Sequence, residues 1–169
     1  MASSPPLTLV IGGARSGKSR HAEALVEAMP EPWAYVATAA VLDGEMAERV
    51  ALHQARRDGR WRTIEAPLDV AEALGMAEGP VLLDCLTLWL TNVMLGERDV
   101  AAEVERLERA LAVRRHSVVL VSNEVGLGIV PENALARRFR DEQGRLNQRM
   151  AALAYRVVLM VAGLPMVVK

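Results

Sequence analysis

The chain has 169 residues, of which 51% are apolar and 24% are charged, and its formal net charge is −1 at pH 7. This composition is typical of a globular protein with a substantial core, and the near-neutral charge argues against a protein that coats nucleic acid. No apolar run is long enough to span a membrane, no signal peptide is apparent, and the single cysteine, Cys85, excludes an internal disulfide. We therefore expect one cytoplasmic domain, residues 1–169, with no membrane span and no nucleic-acid partner.

A glycine-rich loop follows the first predicted strand, residues 7–11. The loop fits the phosphate-binding template G-x-x-x-x-G-K-[ST] at every fixed position, and its residues are Gly12, Gly13, Ala14, Arg15, Ser16, Gly17, Lys18 and Ser19. In this template backbone N–H groups surround the phosphates, the lysine reaches the β- and γ-phosphates, and the Ser19 hydroxyl ligates Mg2+. The setting between strand and helix favours nucleotide binding over an ordinary glycine-rich turn.

Strands and helices alternate after the loop. The predicted helices are 18–29, 45–57, 70–76, 86–95, 101–114 and 132–154. The predicted strands are 33–37, 60–65 (a short edge strand or an extended turn), 81–84, 117–121, 156–161 and 166–168. Asp69 and Asp99 are expected helix N-caps. The alternation predicts an α/β fold with a mostly parallel sheet between helices, and the last two strands predict an antiparallel hairpin that turns at 163–165.

Several candidate site residues follow predicted strands, at the edge where open α/β sheets bind ligands. Thr38, Ala39 and Ala40 follow the strand 33–37 and form a candidate lip of the nucleotide pocket. Asp84 ends the strand 81–84, where phosphate-loop enzymes place a carboxylate that binds Mg2+ directly or through water. A strand-ending aspartate is common by itself. Together with the loop, however, it becomes the expected metal partner of Ser19.

His53 lies on the predicted helix 45–57 among Arg49, Arg56 and Arg57. Arginines lower the tendency of a histidine to take a proton, which suits a neutral imidazole that meets a polyphosphate. From composition alone, a half-buried histidine on an amphipathic helix is the simpler interpretation. For His21, on the first helix, we favour a surface or packing role over catalysis.

Three further segments allow more than one interpretation. The nearly all-apolar segment 86–95 predicts a helix that is either buried or faces another subunit. The stretch 122–132 contains two glycines and a proline, which indicates a loop whose backbone turns sharply and lies close to another group; a plain connection is the alternative. The helix 132–154 carries many polar residues, including Asn147, and most of them are explained as a solvated face.

Four blocks of sequence together resemble one known family. The blocks are 12–23, which holds the loop; 35–65, which holds Thr38, His53 and Glu65; 83–92, which begins Leu83-Asp84-Cys85-Leu86-Thr87; and 123–148, which begins Asn123-Glu124-Val125-Gly126. The loop is shared by many NTPases, whereas the second and fourth blocks are peculiar to this family. The chain resembles, over nearly its whole length, the bifunctional adenosylcobinamide kinase / adenosylcobinamide-phosphate guanylyltransferase of cobalamin biosynthesis.

The resemblance implies two reactions on one corrinoid substrate. ATP or GTP first phosphorylates the aminopropanol hydroxyl of adenosylcobinamide. GTP then donates GMP to that phosphate through a covalent histidine intermediate, giving adenosylcobinamide-GDP and pyrophosphate. The matching histidine here is His53, while Lys18 would hold the departing phosphates and Mg2+ would bind Ser19 and Asp84.

The resemblance also implies a RecA-like P-loop NTPase fold, a three-layer sandwich, and a homo-oligomer. Further nucleotide contacts are implied at Gln54, Ala55, Arg56 and Arg57, with Glu65 at the guanosine, and Glu124, Arg137 and Arg140 are implied in corrinoid binding or subunit contact. The kinase step attacks the γ-phosphorus and the guanylyl step the α-phosphorus. The nucleotide or the His53 helix must therefore shift, or a second site must serve the kinase step. The alternatives are a different small-molecule P-loop kinase, which would not need His53, and a nucleotide-gated interaction protein with 86–95 as its interface.

Overall fold

A computed structural model describes residues 6–39 and 59–169 of the chain. The strands in these ranges are β1 Leu7–Gly12, β2 Trp33–Ala37, β3 Trp61–Glu65, β4 Val81–Asp84, β5 Val118–Asn123, β6 Arg156–Val161 and β7 Leu164–Val167. The helices are α1 Lys18–Glu27, α2 Val70–Met76, α3 Leu86–Leu95, α4 Val100–Ala112 and α5 Ala134–Leu153. The predicted helix 45–57 lies outside the described residues.

The strands form one seven-stranded sheet in the order β3-β2-β4-β5-β1-β6-β7. The strand pairs from β3 to β6 are parallel, and β7 runs antiparallel to β6. The expected mostly parallel sheet with a C-terminal hairpin is therefore confirmed. The hairpin turns earlier than predicted, at Ala162 and Gly163, both of which have positive φ, so that β7 begins at Leu164. Pro165 lies within β7 because an edge strand tolerates a residue without an N–H group.

Helices cover both faces of the sheet. On one face, Leu82 and Val119 pack with Val26 of α1. On the opposite face, Leu83 and Leu120 pack in a larger core that is covered by α2, α3, α4 and α5. Side chains alternate along each strand, so successive residues belong to different layers. The result is the expected three-layer α/β sandwich.

The apolar helix α3 belongs to the larger core. Leu86, Trp89, Leu90 and Val93 are completely buried within the chain, and the Trp89 indole N–H donates to the Leu68 carbonyl at 2.9 Å. Of the two interpretations that the sequence left open, burial inside the protein is the one found. Across the described ranges 6–39 and 59–169, the helices are too short or too polar to cross a membrane.

The helix caps show where the local prediction succeeds and where it fails. The Asp99 carboxylate accepts the N–H of Ala102 and caps α4, as expected. Asp69 precedes α2 but makes no side-chain cap, because its carboxylate accepts a charged hydrogen bond of 2.9 Å from the Arg98 guanidinium. The predicted N-cap position of Asp69 is therefore confirmed, but its side chain makes no capping hydrogen bond. The helix predicted from residue 132 begins at Ala134, capped by the Asn133 side chain.

Candidate active site

The glycine-rich loop connects the end of β1 to the start of α1 at the carboxyl edge of the sheet. Gly17, the residue before α1, has a φ of 92°, which glycine adopts without steric cost. Gly12 has a different reason to be glycine, because a Cβ there would lie 2.7 Å from the Met160 carbonyl oxygen of β6. Gly13, Ala14 and Arg15, at the middle of the loop, are exposed.

Lys18 is buried at the start of α1, and its ammonium donates a hydrogen bond to the Gly13 carbonyl within the loop. Burial lowers the pKa of Lys18, while Cys85 and Asp84 act in the opposite direction. The ammonium is therefore affected by the charge of groups at the end of β4 as well as bound to the loop. Such a cation between loop and carboxylate suits the binding of a polyphosphate.

Asp84 ends β4 and is half-buried. Its Oδ2 accepts a hydrogen bond of 3.1 Å from the Tyr35 hydroxyl. The Thr38 hydroxyl is buried beside it, where it donates to the Cys85 carbonyl and accepts from the Cys85 N–H, both at 2.7 Å. Thr38 thus fixes the backbone that follows Asp84. Its predicted contact with the nucleotide stays a prediction.

The two loop serines differ in their surroundings. The Ser16 hydroxyl is buried, and no residue of the described ranges hydrogen-bonds to it. Ser19 lies in the first turn of α1 and is half-buried. An unpaired buried hydroxyl in a loop of phosphate-binding pattern fits a ligand oxygen. The predicted contact of Ser19 with Mg2+ stays a prediction.

The remaining predicted nucleotide residues fall into two groups. Glu65 ends β3 and is exposed. Ala37 of β2 pairs with Glu65 on one side and with Asp84 on the other, so both acids lie at the same edge of the sheet. Ala39 follows Thr38 and is half-buried. The predicted residues Ala40, His53, Gln54, Ala55, Arg56 and Arg57 lie outside the described residues.

The predicted corrinoid residues make local contacts. The Glu124 carboxylate accepts a hydrogen bond of 2.7 Å from the Gly126 N–H. The backbone N–H of Glu124 donates to the Gly12 carbonyl at 3.0 Å. This bond places Glu124, within the stretch 122–132, directly beside the phosphate loop. Arg137 donates to the carbonyls of Pro131 and Glu132 and so fixes the end of that segment. Arg140 pairs with Asp141 at 3.0 Å. The substrate roles of these side chains stay predictions.

Behind this edge lies a buried polar cluster that the sequence does not predict, formed by Ser122, Asn123, Gln143 and Asn147. The Ser122 hydroxyl donates to Asn147 Oδ1 at 2.6 Å, and Gln143 Nε2 donates to both groups at 2.9 and 3.0 Å. Asn147 Nδ2 in turn donates to the Asn123 carbonyl at 3.0 Å. A signal existed, because Gln143 and Asn147 share the helical stripe of the apolar Leu146.

Comparison with solved structures shows the same type of fold. The flagellar accessory protein FlaH from Methanocaldococcus jannaschii matches with a TM-score of 0.56 and 13% identity, covering 99% of this chain and 80% of that chain. At this identity the likeness shows the fold alone, and the fold is of the RecA-like P-loop NTPase type.

Comparison of sequences is more specific. The chain is 48% identical over 166 residues to the bifunctional adenosylcobalamin biosynthesis protein CobP of Pseudomonas aeruginosa, covering 95% of this chain and 96% of the relative. It is 44% identical over 181 residues to the bifunctional adenosylcobalamin biosynthesis protein CobU of Salmonella typhimurium, covering 96% and 99%. Residues 8–168 match the family model for cobinamide kinase / cobinamide phosphate guanyltransferase. The chain therefore belongs to the cobinamide kinase / cobinamide phosphate guanyltransferase family of bifunctional enzymes.

Proposed function

We propose that one domain of this protein catalyses two consecutive reactions of adenosylcobalamin biosynthesis. It phosphorylates adenosylcobinamide with ATP or GTP, and it then transfers GMP from GTP to the new phosphate, releasing pyrophosphate. The observation that carries this proposal is the family match over residues 8–168, which includes the phosphate loop, Asp84 and His53. The names of the two relatives, both bifunctional adenosylcobalamin biosynthesis proteins, support it.

The phosphate loop binds the triphosphate in both steps of this proposal. The exposed residues Gly13, Ala14 and Arg15 and the first turn of α1 would offer backbone N–H groups to phosphate oxygens. Lys18 neutralises charge on the β- and γ-phosphates. In the kinase step these groups surround the phosphoryl group that moves, and in the guanylyl step they bind the pyrophosphate that leaves.

Mg2+ fits the side chains at this edge of the sheet. The Ser19 hydroxyl and the Asp84 carboxylate are hard oxygen donors of the kind that Mg2+ prefers, and Tyr35 holds one carboxylate oxygen of Asp84 in place. Within the described ranges there is no cluster of three or more His, Cys, Asp or Glu residues that would form an all-protein metal cage. We propose that Ser19 and Asp84 hold the ion together with the nucleotide, where it would offset the charge of the phosphates.

His53 carries GMP between GTP and the corrinoid phosphate in this proposal. An imidazole nitrogen attacks the α-phosphorus, a P–N bond forms, and the P–O bond to the β-phosphate breaks as pyrophosphate leaves. The phosphate of the corrinoid then attacks the same phosphorus and frees the imidazole. Arg56 and Arg57 beside His53 in the sequence would help keep the imidazole unprotonated and attract the triphosphate.

Specificity is assigned to groups at the same edge. The Glu65 carboxylate would accept hydrogen bonds from the donor edge of guanine, and Gln54 and Ala55 would contribute further nucleotide contacts. Glu124, Arg137 and Arg140 would contact the corrinoid. The position of Glu124 beside Gly12 supports this, because the corrinoid phosphate must reach the nucleotide there.

Labelling with GTP tests the guanylyl step. With GTP labelled at the α-phosphate and with Mg2+, we expect protein-bound label that is acid-labile and alkali-stable in the wild type and absent in His53→Ala. The control His116→Ala changes an exposed histidine and should be labelled normally. GTP labelled at the γ-phosphate should leave no label on any of the three proteins. Wild-type protein that never takes the α-label would contradict the guanylyltransferase assignment.

The kinase step is tested at the loop. Lys18→Ala should abolish nucleotide-dependent phosphorylation of adenosylcobinamide, because the ammonium that stabilises the transferred group is lost. His53→Ala should retain this first reaction. Full kinase activity in Lys18→Ala would show that the phosphates bind elsewhere.

We also propose that the protein is a cytoplasmic homo-oligomer. The edge strand β7 exposes Leu164, Met166 and Val167 to 71%, 50% and 57%, and an apolar edge strand favours pairing with a second chain. The unpaired Cys85 suits a reducing compartment. Sedimentation equilibrium should show more than one chain per particle, and Met166→Lys should shift the distribution towards the monomer. A wild type that is monomeric at every concentration would contradict the oligomer.

A further inference from the structure

Asn123 is the last residue of β5, the strand that lies between β1 and β4 in the sheet. It pairs with Gly12, the first residue of the phosphate loop, and the next N–H along the chain donates to the Gly12 carbonyl at 3.0 Å. On its other side, β4 ends at Asp84, which pairs with Val121. Asn123 therefore lies between the two strands that carry the loop and the carboxylate, and it is level with the start of the loop.

The side chains of Asn123 and Asp84 lie on the same face of the sheet. Val121 packs in the core on the α1 side, and side chains two residues apart on a strand share a face. Asn123 therefore also points to the α1 side. By the same argument Asp84 points there, because Leu82 packs in that core. This is the face onto which the phosphate loop delivers α1.

The space above Asn123 lies between the two groups that would hold a polyphosphate. Lys18 belongs to the loop after β1, yet the charge of Asp84 at the end of β4 partly opposes the effect of burial, which lowers the pKa of Lys18. Adjacent strands are about 4.8 Å apart, so β1 and β4 are separated by roughly twice that distance, with the end of β5 between them. A phosphate chain that runs from Lys18 to an ion at Asp84 therefore passes over Asn123.

The backbone of Asn123 is held from outside the sheet. Because β4 ends two residues earlier, the acceptor for the Asn123 N–H is the Thr87 hydroxyl of α3, at 2.9 Å. Its carbonyl accepts from Asn147 of α5 at 3.0 Å, and Asn147 is anchored by the completely buried Ser122 and Gln143. Within the described ranges these hydrogen bonds occupy only the backbone groups of Asn123. Its half-buried carboxamide keeps its two donors for a ligand.

We propose that the Asn123 carboxamide donates a hydrogen bond to the terminal phosphate of the bound nucleoside triphosphate, and that Thr87 and Asn147 are positioning residues that hold Asn123 there. An amide suits this place because it donates to a phosphate oxygen without adding a charge. The inference rests on the proposed function, since it requires that the loop bind a nucleoside triphosphate. The hydrogen bond from Asn123 to the terminal phosphate is a contact that a nucleoside diphosphate lacks.

Calorimetric titration with two nucleotides tests the contact. Wild type and Asn123→Ala are titrated with β,γ-imido GTP and with GDP, each in the presence of Mg2+. The dissociation constant of the triphosphate analogue should rise about tenfold in Asn123→Ala, as for the loss of one hydrogen bond to a charged group, and that of GDP should change less than about twofold. Equal weakening of both nucleotides, or no change in either, would overturn the inference. Wild-type protein that binds neither nucleotide would instead contradict the proposed function.

The positioning residues are tested on α3. Thr87→Val removes the acceptor for the Asn123 N–H and should weaken the triphosphate analogue severalfold more than GDP, whereas Thr87→Ser should behave like the wild type. The matched control is Thr91→Val, one turn further along the same helix. If Thr87→Val does not fold, Thr87→Ala replaces it. A Thr87 variant that only lowers the unfolding temperature, with an unchanged ratio of the two dissociation constants, would show a purely structural role.

Discussion

The Tyr35 hydroxyl donates a hydrogen bond of 3.1 Å to Oδ2 of Asp84, across the neighbouring strands β2 and β4. Tyr35 is buried, and its ring packs edge-on against Trp61 with the ring centroids 6.3 Å apart. A rigid donor thus determines how the carboxylate faces the phosphate loop. Asp84 is therefore oriented before any nucleotide or ion arrives.

Tyr35→Phe removes this hydrogen bond and keeps the ring. Partners of metal-binding side chains typically contribute 10- to 100-fold in metal affinity, so we expect the Mg2+ concentration for half-maximal kinase activity to rise about tenfold. The Mg2+ dependence of adenosylcobinamide phosphorylation measures it. Tyr155→Phe, at a residue that is 79% exposed, is the control and should leave the dependence unchanged. Superimposable Mg2+ curves for Tyr35→Phe and the wild type would contradict the role of Tyr35.

Gly12→Ala should destabilise the fold as well as the nucleotide site. The new Cβ would lie 2.7 Å from the Met160 carbonyl oxygen and 2.8 Å from the Ser16 hydroxyl, and the backbone contact cannot be relieved by a rotamer change. We expect a loss of about 1–3 kcal/mol, measured by urea unfolding. Gly144→Ala is the opposite control. Gly144 lies inside α5, and a Cβ added there would have nothing within 4 Å. The substitution should therefore raise the free energy of unfolding by about 0.5–1 kcal/mol. Unfolding of Gly12→Ala at the wild-type urea concentration would refute the prediction.

His21 should make the protein sensitive to mild acid. Burial, and secondarily Arg156, lower the pKa of His21 from its ordinary value of 6.5. Above pH 6.5 the imidazole is neutral in both the folded and the unfolded chain, so protonation of His21 does not lower the free energy of unfolding there. As the pH falls below that value the unfolded chain takes up a proton first, and stability decreases until the lower folded pKa is passed.

The change in melting temperature between about pH 7 and pH 5 measures this effect. His21→Gln should show a shallower fall than the wild type. The control His116→Gln, at an exposed position, should follow the wild type. Parallel curves for the wild type and His21→Gln would show that His21 does not cause the acid sensitivity.

Cys85 should react only when the chain unfolds. The thiol is 7% exposed, and burial, together with the neighbouring Asp84, raises its pKa from 9.0 to about 12. At pH 8 the native protein therefore holds almost no thiolate, and we expect alkylation by iodoacetamide to be at least about 100-fold slower than in denaturant. Mass spectrometry should find one modified residue per unfolded chain, since Cys85 is the single cysteine. Rapid modification of the native protein would contradict the burial.

Local sequence patterns predict the type and approximate bounds of most helices and strands. The strands β2 and β4 and the helices α2 and α3 have the bounds that the sequence predicts. Buried parallel strands are continuous apolar runs, and the proline and glycine at Pro32 and Gly79 mark where two of them begin. Asp84 could be predicted as a site residue for the same reason, because a charged residue that ends such a run must lie at the edge of the sheet.

Contacts between distant parts of the chain were not predictable in this way. Tyr35 and Asp84 are 49 residues apart, and no local pattern indicates that their strands are neighbours. The missing side-chain cap at the N-cap residue Asp69 has the same cause, because its competing partner Arg98 is 29 residues away. Asn147 lies on a predicted helix whose polar residues are mostly explained as a solvated face, so its hydrogen bond to the Asn123 carbonyl is not predicted. Only the folded structure shows that the Asn147 carboxamide donates to the carbonyl of Asn123, the last residue of β5.

The place of β1 in the sheet also bears on how the protein is made. Both neighbours of β1 come from late in the chain, β5 at residues 118–123 and β6 at residues 156–161. A growing chain that has not reached residue 118 contains the entire glycine-rich motif but neither strand that supports it. We therefore expect a nascent chain to bind nucleotide only after residues 156–161, the strand β6, have been synthesised.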